Sequence, residues 1–269
     1  MDSESIDQAV GFYGKLPSKG DFLTRSLPRE FVALWDDWLQ TGMNASREVL
    51  GSNWLDTYLT SPLWRFALSP GICGAHGWAG LMLPSMDRVG RYFPFTIARP
   101  LPEHKPPLAV AADEAGWFDR AAAMALAALD DDDKDPADLY ADLVALNLDL
   151  TEVNQSDIDA GPVFAPANFA TGVRLSLGED LDSSRLLTGM ACAWLDREME
   201  NYGLWWTEGS DLMSPSMLCH PGLPETTQFC ALLDGRWTSQ GWSDLGGESS
   251  STGELQQSEA PGETEEGSS

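Results

Sequence analysis

"GWAGLMLP", residues 77–84, and "PFTIARPL", residues 94–101, decide how this chain is read. Both are short apolar runs bounded by glycine or proline, and "LWRFALSP" (63–70) is a third. Runs of this length that are apolar at consecutive positions fit strands of a largely buried sheet, covered on both faces. Upstream of them, Val10–Tyr13 reads as a short strand, and Pro17, Ser18 and Gly20 supply a turn.

Helical spacing surrounds these runs. In "PREFVALWDDWLQTGM" Pro28 suits a first helical turn, Phe31, Leu34, Trp35, Trp38 and Leu39 share a face, and Gly42 marks the predicted end. A second helix is predicted over Ser46–Leu59, with Val49, Leu50, Trp54, Leu55 and Tyr58 inward, closed by Ser61-Pro62. "HKPPL" (104–108) reads as a connector. Helices are then predicted over Asp113–Leu129, Pro136–Asn147 and Asp182–Tyr202, with 150–170 irregular. "GVRLSL" (172–177) and "GLWWT" (203–207) read as strands, and "FCALLDGRW" (229–237) as a short helix and its exit. Alternating strands and helices place the chain in the α/β class, a sheet with helices on its faces. The order lacks the even rhythm of a doubly wound sheet, so a mixed sheet is expected. The expected organisation is a leader over 1–9, one domain over 10–245 and a disordered acidic tail over 246–269. That tail has no aromatic and no basic residue, too little apolar area to offset ordering entropy.

The net charge of −26 is uneven. Up to Lys105 there are eleven acidic and ten basic side chains; beyond it, thirty-one acidic against six basic. Such a field repels nucleic acid and anionic membrane and complements basic protein surfaces. "MDSESIDQAV" lacks the basic start and apolar core of a signal peptide, and no apolar stretch approaches bilayer-spanning length, so a cytoplasmic protein is expected. Cys73, Cys192, Cys219 and Cys230 then read as reduced, mostly buried thiols.

The chemistry-bearing patterns are few. "GFYGKLPSKGDF" (11–22) has glycines and lysines without the spacing of a P-loop or a dinucleotide fingerprint, so its glycines read as permitting a tight strand-to-turn passage. No Gly-x-Ser-x-Gly elbow accompanies the three histidines. Cys73-x-x-His76 and Cys219-His220 lack the paired spacing of a closed zinc site. Asp130–Asp133 lacks the alternation of a calcium loop and reads as solvated. No cofactor is expected. Two stretches stand out. In "PSMDRVGRYFPFT" (84–96) Arg88 and Arg91 either receive an anionic group of a partner or lock a long turn by bonding carbonyls and Asp87. In "LWWTEGSD" (204–211) Trp205 and Trp206 point to opposite faces, so either both faces are covered or one indole is an interface anchor.

Together, "GFYGKLPSKGDF", "LPREFVALWDDWLQ", "LGSNWLDTYLTSPLWRFAL", "GWAGLMLPSMDRVGRYFPFT" and "LWWTEGS" followed by "GLP" resemble the TagF family of type VI secretion-associated proteins, over about residues 10–240. The resemblance implies a three-layer α/β/α sandwich. It implies a cytoplasmic, non-enzymatic accessory protein of a Gram-negative bacterium that represses type VI secretion post-translationally. The implied partner is the forkhead-associated scaffold protein, with a functional link to the threonine kinase and phosphatase pair. A hydrolase of the same phosphorylation pathway, or a structural piece of the secretion baseplate, is the alternative. The residues expected to face a partner are Lys15, Lys19, Asp21, Asp87, Arg88, Arg91, Trp205 and Trp206.

Overall fold

The computed structural model describes residues 10–102, 105–156 and 183–244. The runs that opened the reading are strands: β3 is Trp64–Leu68, β4 Trp78–Leu83 and β5 Phe95–Pro100. With β1 (Gly11–Gly14), β2 (Leu23–Arg25), β6 (Gly203–Thr207) and β7 (Ser216–His220) they form a seven-stranded sheet ordered β2-β1-β5-β4-β3-β6-β7. The helices are α1 (Arg29–Leu50), α2 (Trp54–Leu59), α3 (Pro107–Asp113), α4 (Ala115–Asp130), α5 (Pro136–Ser156), α6 (Ser183–Glu198) and α7 (Thr226–Asp234).

Every neighbouring pair of strands is antiparallel, which corrects the expected mixed sheet. The reason lies in the connections. Parallel neighbours need a crossover, usually a helix, whereas β3, β4 and β5 are joined by non-helical loops that simply return the chain. The longer excursions between β1 and β5 and between β3 and β6 also re-enter from the opposite end.

Side-chain alternation divides the sheet into two buried faces. On one, Phe66, Trp78, Met82 and Trp205 meet Phe31, Trp35 and Leu39 of α1, Tyr58 of α2 and Phe229 of α7. On the other, Ala79, Leu81, Phe95 and Ile97 meet Val110 of α3, Phe118 and Ala121 of α4 and Leu143 of α5. The architecture is the α/β/α three-layer sandwich. The glycines of "GFYGKLPSKGDF" serve close packing: Gly14 has φ of 126°, and a Cβ there would stand 2.1 Å from the carbonyl oxygen of Pro94.

Several boundaries differ from expectation. Gly42 does not end a helix; α1 runs on to Leu50 and the break falls at Gly51. Gly42 is instead where α7 approaches, since a Cβ there would lie 2.4 Å from Cγ of Phe229. With the helix continuous, Val49 and Leu55 face solvent and Trp54 and Tyr58 carry the burial. The helix predicted over Asp113–Leu129 begins at Ala115, and a further helix, α3, precedes it from within the stretch read as a connector; Glu114 lies between the two with its carboxylate turned inward to Arg99. Helix α5 continues to Ser156, past the expected Asn147. The strands β2 and β7 were not anticipated. "GVRLSL", the leader and the tail lie outside the described residues.

Candidate functional site

The loop from Pro84 to Pro94, which joins β4 to β5, folds onto the loop that follows β1. Two backbone features start it. Asp87 N–H donates to Arg91 carbonyl at 3.0 Å, closing a turn, and Arg88 N–H donates to Lys19 carbonyl at 2.9 Å, tying the two loops together. Ser85 is fixed from both sides: Tyr58 hydroxyl donates to its carbonyl and accepts from its N–H, both at 2.9 Å, while Ser85 Oγ donates to Lys15 carbonyl at 2.7 Å.

Asp87 is the hub. Lys15 Nζ and Arg91 Nε each donate to its Oδ2 at 2.6 Å, and the N–H groups of Val89 and Arg91 donate to its Oδ1 at 3.1 and 2.9 Å. The Asp87 side chain is wholly buried and that of Lys15 is 5% exposed. Burial works to raise the Asp87 carboxyl, but the hydrogen bonds from Lys15, Arg91 and Val89 outweigh it and hold the group well below the usual carboxylate range. Lys15 also lies over the ring of Phe22, 4.8 Å from its centroid. Arg91 reaches across to Gly20, its Nη2 donating to that carbonyl at 2.5 Å.

The eight residues singled out in the sequence therefore divide. Lys15, Asp87 and Arg91 come together as one network, and the loop is locked by Arg91 and Asp87. Arg88 differs from its neighbour: its guanidinium is exposed and makes no hydrogen bond or ion pair among the described residues. Lys19 and Asp21 are exposed beside it. Trp205 and Trp206 lie elsewhere. Trp205 is fully buried and stacks on Trp35 at 5.9 Å, whereas Trp206 points to the other face and meets Phe118 edge-on at 4.7 Å. Both faces of β6 are covered, so neither tryptophan stands out as a surface anchor.

Sequence reading missed Ser85 and Tyr58, which hold the loop from beneath. It also missed a second buried polar cluster, in which Glu114 accepts from Arg99 and from Lys105, and Arg99 lies 4.5 Å over the ring of Trp117. Nothing in local spacing signals either: Tyr58 and Ser85 lie 27 residues apart, and Arg99, Lys105 and Glu114 meet only because the chain after β5 folds back on it. Among the cysteines, Cys73, Cys192 and Cys230 are buried and Cys219 is partly so. Burial pushes Cys73 up to about 12 and Cys219 up to about 11. Among the described residues no three His, Cys, Asp or Glu side chains gather as metal ligands, and no helix is long and apolar enough to cross a membrane.

The family "TagF N-terminal domain, Type VI secretion system-associated" matches residues 11–146, which includes the whole Asp87 network. The chain belongs to the TagF family. A solved structure gives independent support: PA0076 from Pseudomonas aeruginosa PAO1 is 35% identical, with a TM-score of 0.63, over 84% of this chain and 94% of that one. Comparison with curated proteins gave no match. The TagF assignment places the chain in a type VI secretion context and matches the resemblance carried by the loop motifs. The matched region ends within α5, so α6, β6, β7 and α7 lie beyond it.

Proposed function

We propose that this chain is a non-enzymatic accessory protein of type VI secretion, acting in the cytoplasm and repressing secretion post-translationally by binding a component of the system. The partner proposed is the forkhead-associated scaffold protein, in a pathway that includes the threonine kinase and phosphatase pair. The observation that carries this reading is the TagF match across both loops. The geometry supports binding in particular. Lys15, Asp87 and Arg91 satisfy one another, so their polar groups are committed to holding the loop rigid. What the rigid loop presents outward is Lys19, Asp21 and Arg88. A preorganised surface loses little conformational freedom on association.

The test is co-purification of the scaffold protein with the full chain and with a Lys19→Glu/Arg88→Glu variant. The wild type is expected to retain the scaffold and the variant to lose it, with an unchanged melting temperature. No association at micromolar concentration would overturn the reading.

A further inference from the structure

At the other end of β4 from the Asp87 loop, helices α1 and α7 enclose a groove. Their close approach at Gly42 and Phe229 fixes one end of it. Toward the start of α7 they separate, and the gap is floored by Trp38, which packs edge-on against Phe229 at 5.2 Å and donates from Nε1 to Pro224 carbonyl at 2.8 Å. A cavity of about 320 Å³ opens there, walled by Leu34, Trp38, Ile72 and Leu223. It runs on into a shallow, open surface depression that shares Ile72 and Leu223 and ends at Glu200 and Pro221. Leu34 is 44% exposed at the mouth.

The rim carries one sign of charge. Every ionisable residue lining the two cavities is acidic: Asp37, Glu200 and Glu225. Glu225 is engaged in capping α7, reciprocally with Gln228. Asp37 and Glu200 are exposed and make no ion pair among the described residues. An apolar floor that includes an indole, with an unpaired carboxylate lining each of the two depressions, calls for a ligand with apolar side chains flanked by cations. We propose that this groove is a second docking surface, distinct from the Asp87 loop, and that it takes a peptide segment of a partner protein bearing leucine-like anchors with flanking lysine or arginine.

The experiment uses the full chain and a fluorescently labelled leucine–lysine peptide, followed by anisotropy and by the indole N–H resonance of Trp38. Saturable binding that shifts that resonance is expected. An Asp37→Lys/Glu200→Lys variant should bind about tenfold more weakly, roughly one cation pair's coupling. An Asp131→Lys/Asp132→Lys control, in an exposed acidic loop remote from the groove, should bind as the wild type does. Leu34→Ser gives an uncharged second variant and should also weaken binding. Equal loss in the control would mean diffuse attraction to an acidic chain and would overturn the proposal. So would equal binding of a leucine–glutamate peptide, absence of saturable binding, or a dimer in sedimentation that the groove variants dissociate, which would make a second copy the occupant. The outcome is independent of whether Arg88 binds the scaffold.

Discussion

Nζ of Lys15 lies 2.6 Å from Oδ2 of Asp87, with both side chains taken almost wholly out of water. The two residues come from different strand–loop junctions, so this ion pair joins the opening segment of the chain to the centre of the sheet. A buried pair of this kind is not in itself strong evidence of net stabilisation, because desolvation offsets attraction. Its sensitivity is to the loss of one partner.

Asp87→Asn leaves Lys15 buried without a counter-ion. The expected cost is about 3–5 kcal/mol, or a fall of order 10 °C in melting temperature for a domain of this size. The sign of its pH dependence follows from the lowered folded-state value of Asp87. Its stabilisation is present in full above the ordinary carboxylate value of 3.8 and is lost as pH falls below it. Wild type and Asp87→Asn should therefore differ most in stability near neutral pH and converge in acid, measured by urea unfolding at several pH values. A constant difference across that range would contradict the assignment.

Arg91 and Arg88 should separate cleanly. Arg91→Ala removes donors to Asp87 and to Gly20, yet its side chain is 58% exposed, so screening limits the loss. About 1 kcal/mol is expected, a shift of roughly 2–4 °C. Arg91→Lys should not restore it, since one ammonium cannot reproduce the two directions of the guanidinium fork. Arg88→Ala should leave the melting temperature within about 1–2 °C, as surface substitutions usually do. Calorimetry on the three variants decides it.

Gly42→Ala should destabilise by about 1–3 kcal/mol through overpacking against Phe229. The same change at an open helical position would stabilise, because alanine is the better helix former. Combining it with Phe229→Leu should recover part of the loss, giving a clearly non-additive cycle. Additive effects would show that the two residues do not meet.

The extent to which the fold was legible follows from which interactions are local. Trp64–Leu68, Trp78–Leu83 and Phe95–Pro100 could be read because strands buried on both faces are mostly apolar on consecutive positions, with Arg65, Thr96 and Arg99 as the buried polar exceptions. Leu23–Arg25 was hidden by its length, and Ser216–His220 by a mixed composition suited to an edge. Gly42 was misread because a glycine needed for helix contact looks identical, in one dimension, to a glycine that stops a helix. The site was half legible. The partnership of Asp87 with Arg91 spans one helical-type interval and was one of the two readings the sequence left open, the other being contact with a partner, whereas Lys15 and Tyr58 reach the same loop only through tertiary structure.

The strand order carries a consequence for the growing polypeptide. Phe12 of β1 pairs with Ile97 of β5, and Phe66 of β3 pairs with Trp205 of β6. The meander β3–β4–β5 finds its partners among near neighbours in sequence, and β1 has β2 close behind it, but the other edge of β1 stays open until β5 has left the ribosome, and one edge of β3 until β6 follows. The first hairpin made is thus among the later pieces to be seated, and "GFYG" keeps one edge open while the sheet it completes is synthesised.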